Sequence, residues 1–312
     1  MNYETLYNSI QAYAENTEQL FVANIPVFVQ EAEDRIYNSV QIPALRKNVT
    51  GTLTAGNQYI SLPDDWLSNF SLAVIDSTNR YNYLLNKDVN YLREAYPTVV
   101  YTSPTYQGTP GGVPAYYALF GSQFSNVNEM TLMVAPTPDQ SYPVEMHYYY
   151  YPPTIVQGQI SNFGAITAGS LYTNGVYQNV ALTGGSGANA TADIVISGGV
   201  IVSCSLKFGG NFYVVGDILS CSSLGSTGSG FSIPVSSISN AAGTSWLGDN
   251  YDPVLFYGAM REAMLFMKGE ADLVGYYENK YQEAVAQLNR LGTGLERGDA
   301  YRNGQAKIVV NP

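Results

Sequence analysis

The sequence predicts an α+β protein: a helical bundle formed from the N- and C-terminal segments, a central antiparallel β region, and an inserted small all-β, sandwich-like domain. Three observations carry this. Apolar residues recur at helical spacing in residues 1–47 and again after Trp246. Between these ends the apolar period drops to two and turn residues punctuate short runs. Within that stretch, residues 157–243 hold only three charged side chains, Asp193, Lys207 and Asp217, and sixteen of the chain's 30 glycines.

In chain order, Leu6, Ile10, Tyr13 and Ala14 share one face of a first helix, with Glu4 and Glu15 on the wet side. A second helix is predicted from Ile25 to Val40. Asn24 would cap it, Pro26 would sit in its first turn, and Phe28, Val29, Ala32, Ile36 and Val40 would form its buried stripe. Gln30, Glu33, Asp34 and Arg35 are assigned to its surface. Strands are expected at Thr50–Leu53, Gln58–Leu62, Ser71–Asp76, Val99–Tyr101, Ala115–Phe120, Met130–Ala135 and Val144–Tyr151. The last three read as an antiparallel meander, with Met130, Leu132 and Val134 sharing one face, Val144, Met146, Tyr148 and Tyr150 likewise sharing one, and Pro136–Asp139 as the turn between the final pair. Residues 87–96 form a short helix, and the prolines and glycines of 102–114 a loop or arm.

Inside 157–243 the alternating runs Ala192–Ser197, Val200–Phe208, Val214–Ser220 and Phe231–Val235 read as strands. Gly198-Gly199 marks a two-residue hairpin. Asp252-Pro253 then starts a helix that weakens near Gly269. A longer one follows from Ala271, with Tyr277, Tyr281, Leu288 and Leu291 on its face and Gly292 closing it. The division is thus a core of 1–156 plus 244–292, an inserted module at 157–243, and an extended arm at 293–312.

Composition narrows the function. The chain has 25 acidic and 14 basic residues, a net charge of −11, and a pI near 4.4. That balance opposes sequence-independent binding of nucleic acid, which needs a basic surface. With one histidine, His147, and two cysteines, Cys204 and Cys221, the common zinc sites cannot be assembled. No GxSxG, P-loop, HExxH or EF-hand pattern occurs. No cofactor, metal or catalytic residue is expected, nor a membrane span or signal segment, and the cysteines are expected to stay reduced. Only 12% of residues are charged, about half the usual ~25%, while Tyr reaches 27. Such a composition suits a surface largely covered by other proteins.

Several stretches, in this order, resemble the head-to-tail adaptor (connector) proteins of tailed bacteriophages. They are IPVFVQEAEDRIYNSV (25–40), YISLPDDWL (59–67), MTLMVAPTPDQSYPVEMHYYYYPP (130–153) and the C-terminal helical hairpin of 246–288. Residues 171–235 separately resemble a small β module inserted in various phage structural proteins. Other copies carry a GGSGY-like turn where this chain has Phe208-Gly209-Gly210-Asn211-Phe212-Tyr213.

The resemblance implies a virion structural protein of the phage neck, assembled in the host cytoplasm as a ring of twelve copies joining portal to tail. Its partners would be itself, the portal protein, tail or nozzle components and fibres, with genomic DNA passing through the channel. It further implies that the C-terminal arm engages the portal, through Arg297, Tyr301, Arg302, Lys307, Ile308, Val309 and Val310. The ring and packing helices would use Phe28, Ile36, Tyr257, Leu265, Tyr277, Tyr281 and Leu288. The alternative is a fibre-associated or receptor-binding protein acting through the β module. A third reading, a polysaccharide-degrading enzyme, lacks an evident carboxylate pair in the β region.

Individual residues also have plainer readings. His147 and Glu145, two apart on a strand, are more in keeping with a partly exposed structural pair than with a catalytic base. Asp64-Asp65 before Trp66 reads as a turn or cap rather than a cation site. Of Tyr148–Tyr151, two are expected to pack inward and two to meet neighbours or a partner.

Overall fold

A computed structural model of the chain describes residues 1–76, 78–97, 111–123, 126–221, 224 and 228–296. Helices α1 (Tyr3–Ala14) and α2 (Gln19–Ser39) open the chain. Strands β1 (Arg46–Leu53), β2 (Tyr59–Ser61), β3 (Trp66–Ile75), β4 (Tyr81–Tyr83) and β5 (Leu85–Asn86) lead to α3 (Val89–Ala95). Next come β6 (Tyr116–Gln123), β7 (Asn126–Ala135) and β8 (Tyr142–Tyr150). Seven further strands follow: β9 (Gln159–Phe163), β10 (Thr167–Ser170), β11 (Gly175–Ala181), β12 (Ala188–Ser197), β13 (Val200–Asn211), β14 (Ile218–Leu219) and β15 (Ser229–Ser239). Helices α4 (Trp246–Asn250), α5 (Asp252–Phe266) and α6 (Ala271–Glu296) complete the order.

Two compact units result, residues 1–41 with 153–312 and residues 42–152. This division cuts the chain differently from its composition, because β9–β15 pack with the helices rather than apart from them. The 42–152 unit is a sandwich of two four-stranded sheets, β1-β8-β3-β4 and β2-β7-β6-β5. Leu72, Val74, Val144, Met146 and Tyr148 from one sheet share a core with Leu132 and Val134 from the other. Alternation therefore placed the faces of β7 and β8 correctly, and β6 pairs antiparallel with β7 as expected, but β8 does not continue the meander. β8 pairs with β1 and β3, so the turn after Ala135 carries the chain across the sandwich instead of folding it back as a hairpin. Helix α3, capped by Asp88, lays Leu92 on Ala118, Met133 and Ala135 on the other face of the second sheet. The strand expected at Val99–Tyr101 and the loop of 102–110 lie outside the described residues.

In the larger unit, α2 begins six residues before its predicted start and carries Pro26 in its interior. The prolyl nitrogen has no hydrogen for the Val22 carbonyl. The helix persists because Phe21, Ile25, Phe28, Val29, Ala32 and Ile36 are all buried along it. Asn24 is not a cap; its amide donates to the Leu20 carbonyl at 2.7 Å. At the other end α6 does not stop at Gly292 but runs to Glu296, Gly292 keeping the helical conformation, so residues 293–296, expected to open the extended arm, belong to the helix instead.

Helices α2, α5 and α6 meet at Gly258. A Cβ there would lie 3.0 Å from the Ala32 Cβ and 3.4 Å from the Tyr281 ring. Gly258→Leu is accordingly expected to cost about 2–3 kcal/mol by overpacking, read as a lower denaturant midpoint at unchanged slope.

The β9–β15 strands form a three-stranded sheet, β11-β12-β13, and a second group in which β15 pairs with β10, β14 and β9. Ala190, Ala192, Ile194 and Ile196 of β12 face Phe231, Ile233 and Val235 of β15 in one core. The hairpin between β12 and β13 turns at Gly198 (φ 65°) and Gly199 (φ 77°), the doubly left-handed turn that a two-residue connection demands. Cys204 and Cys221 are free thiols packed against this core. Burial pushes both thiol pKa values up to about 11.

Candidate interaction surfaces

Among the described residues no three His, Cys, Asp or Glu side chains cluster in a metal-holding arrangement. Nor is any helix long and apolar enough to cross a membrane.

In the helical part, Phe28, Ile36, Tyr277, Tyr281 and Leu288 are buried and make this chain's own core. Phe28 packs on Phe21 and Phe266 at ring separations of 5.7 and 5.2 Å. Tyr257 is half-buried, and Leu265 is 45% exposed. Arg35, Arg261, Glu262 and Glu278 tie the helices together; Arg35 meets Glu262 at 2.9 Å, and Arg261 pairs with Glu278. The Gln282 hydrogen bond and the Arg261 guanidinium hold the Glu278 carboxyl below the usual carboxylate range, though partial burial opposes them.

Residues 42–152 offer an aromatic, polar face on the outside of the first sheet. Arg46 lies 3.8 Å over the Phe70 ring and donates to the Tyr149 hydroxyl at 2.7 Å. Beside it, Glu145 accepts from Asn48 at 2.7 Å and lies 3.0 Å from the His147 ring. The Asn48 and Tyr81 hydrogen bonds hold the Glu145 carboxyl below its ordinary range. Glu145 and His147 thus face one another two positions apart on β8, as a strand-face pair does. Asp65 is likewise bound within the fold, by Lys47 at 2.5 Å and the Tyr148 hydroxyl at 2.9 Å, with Trp66 turned back onto the Pro63 carbonyl. Of the tyrosine run, Tyr148 and Tyr149 are buried and Tyr150 and Tyr151 partly covered.

Among the described residues, side chains of α1 and α2 fasten the β9–β15 strands and the segment leading into them. Tyr3 is fully buried, and its hydroxyl accepts a hydrogen bond from the Asn211 amide at 3.2 Å. Phe212 stands against both Tyr3 (5.2 Å) and Tyr7 (5.5 Å), in a left-handed backbone conformation (φ 61°) that bulky residues rarely adopt. Glu33, at 2% exposure, accepts from the Thr154 hydroxyl (2.6 Å) and the Ile155 N–H (2.8 Å). Burial pushes its carboxyl up to about 7, against the lowering effect of those two bonds. Gln30 adds a bond to Gln159 at 3.1 Å.

Residues 1–183 match the family model for the SU10 adaptor protein. The matched span is more than half the chain and covers α1, α2, the whole 42–152 unit and β9–β11. The chain belongs to the SU10 adaptor family. No curated protein matches it. Membership makes the chain a bacteriophage structural adaptor protein, a virion component that works by contact with other neck proteins. The C-terminal hairpin of 246–288, which also carried the resemblance in sequence, lies beyond the matched residues.

Not all of the adaptor's expected contact residues are in view. Arg297, Tyr301, Arg302, Lys307, Ile308, Val309 and Val310 lie outside the described residues. Glu33 was assigned to the surface of α2 and is instead one of its most buried side chains. Tyr3, Asn211 and Phe212 were assigned no docking role by sequence reasoning.

Proposed function

We propose that this adaptor forms a ring, of twelve copies, joining the portal to the tail in the phage neck and framing part of the DNA channel. Membership in the adaptor family carries the reading. The charge distribution supports it. The domain of 157–243 contributes −1, leaving −10 of the net −11 to the rest of the chain. A wall past which DNA slides should repel phosphates rather than trap them.

Residues 297–312 supply the portal anchor. They combine Arg297, Arg302 and Lys307 with the apolar Ile308-Val309-Val310, suited to an extended segment that adds main-chain hydrogen bonds to a strand edge. Loops of the β regions receive tail components, and the 157–243 domain is presented outward to other neck or fibre proteins.

The test is the mass of the purified chain alone and after mixing with its portal. A monomer or weak oligomer that adds twelve copies to the portal is the expected result; a stable trimer that ignores the portal overturns it. Deleting 297–312 is expected to abolish portal binding while the thermal midpoint stays within a few degrees of the full chain. Undiminished binding by the truncated chain would remove the anchor from the proposal.

A further inference from the structure

The helical part carries two unlike surfaces. The first is an aromatic face on α1, α5 and α6. Tyr13, 64% exposed, meets Phe256 edge-on at 5.1 Å, and Phe256 meets Tyr257 at 5.5 Å. Tyr276, 52% exposed, meets Tyr277 edge-on at 5.4 Å. Shallow hollows open on either side of Tyr257, one reaching Tyr13 and the other Lys280 and Glu283. Those last two pair with each other at 3.1 Å and leave no net charge there.

The second surface is a groove of about 720 Å³ between α2 and the β11-β12-β13 sheet, within the size range of pockets that take substantial ligands. Leu20, Ala23 and Val27 form its helical wall, and Leu20 is 68% exposed. Not one of the side chains lining it is charged.

The two are placed as a head-to-tail contact requires. On α5, Gly258 is the residue that meets Ala32 of α2. Phe256, two residues earlier, projects about 200° around the helix from it. On α2, Leu20, Ala23 and Val27 of the groove wall lie roughly 130° around the helix from Phe21, Phe28 and Ala32, which meet α5. A closed ring needs a different patch on each side of the protomer, and these are such a pair.

From these observations we infer that the uncharged groove of one copy receives the aromatic face of the next. The inference rests on the ring reading and specifies its interface. The occupant is a second copy on two grounds. Copies carrying −11 each repel, and approach is least opposed where one surface has no charge and the other's charges cancel. Tyr13 and Tyr276, more than half exposed, and the partly covered Phe256 and Tyr257 together offer roughly 300 Å², from side chains that bury ~150–250 Å² each when fully covered. That is somewhat under half of the ~800 Å² per partner of a standard interface, before the surrounding helix surface is counted.

The experiment uses the full chain assembled on its portal from an equal mixture of isotopically labelled wild type and an unlabelled variant, Phe256→p-benzoylphenylalanine. Irradiation is expected to join position 256 to residues 19–27 or 179–191 of a labelled copy. A second variant, Ala23→Glu, places a charge in the groove and is expected to reduce copies per portal at least twofold, with its thermal midpoint unchanged. A complete ring whose cross-links fall elsewhere, or that shows none between copies, overturns this interface and leaves the ring standing. Failure of the wild type to assemble on the portal overturns both.

Discussion

Glu33→Gln is expected to abolish a loss of stability that the wild-type chain undergoes as pH rises from about 4.5 to 7. The Glu33 carboxyl is raised from 4.5 to about 7 by burial, while in the unfolded chain it ionises near its ordinary value. Across that window the unfolded state binds fewer protons than the native one, so stability falls with increasing pH. The contribution is fully present below about pH 4.5 and is lost as pH passes through 7. A shift of this size corresponds to on the order of 3 kcal/mol. Groups with depressed values, such as Asp76 (held down to about 2) by its Thr78 and Arg80 hydrogen bonds, act in the opposite sense and at lower pH. Denaturant midpoints at pH 5, 6, 7 and 8 separate the two. The difference between variant and wild type should change by about 3 kcal/mol in favour of Gln between the extremes. Parallel curves would show that the ionised carboxylate is accommodated between Thr154 and Ile155.

Tyr3→Ala is expected to lower stability by about 3–5 kcal/mol, because it removes a fully buried aromatic ring from between Tyr7 and Phe212. Tyr3→Phe keeps the ring and deletes only the acceptor for Asn211. That amide is 1% exposed, and its oxygen already has no partner in the described structure. Leaving the rest of the group unsatisfied costs about 1–3 kcal/mol. Both variants should speed hydrogen exchange at Phe212 and Tyr213, whose N–H groups donate to Gln157 and Gly158 at 2.7 and 3.0 Å. Faster exchange confined to the helices, with 212–213 unchanged, would show that the β domain is held elsewhere.

What the sequence made legible was local or periodic. Leu6 and Ile10 on α1, the Asp252-Pro253 start and the Gly198-Gly199 turn all depend on neighbours within a few positions, where pattern and backbone chemistry act directly; Tyr13, expected on the same face of α1, is instead exposed. Alternation also identified the buried faces of β7 and β8. It says which face is buried but not which strand lies alongside, so the crossing between sheets was missed. Pro26 was weighted as a boundary signal, whereas burial on either side of it carried α2 straight through. The fastening residues were the least legible. Tyr3 and Asn211 are 208 positions apart, and Glu33 and Ile155 are 122 apart. No local pattern announces such a pairing, and a glutamate on an amphipathic helix is normally a solvent-facing residue.

The two chain crossings into the β domain, at 153–158 and 240–245, are stapled to each other as well as to the helices. Asn240 donates to the carbonyls of both Thr154 and Thr244 at 2.8 Å, and Gln157 donates to the Ala241 carbonyl at 3.1 Å. The joint therefore has no free swivel. A sideways pull at the Gly198-Gly199 tip is carried as shear through β13 into the Tyr3–Tyr7–Phe212 stack, and as tension through Thr154 into Glu33. Helices α1 and α2 take up that load together, so the domain behaves as a lever rigidly mounted on the bundle rather than as a pendant on a tether.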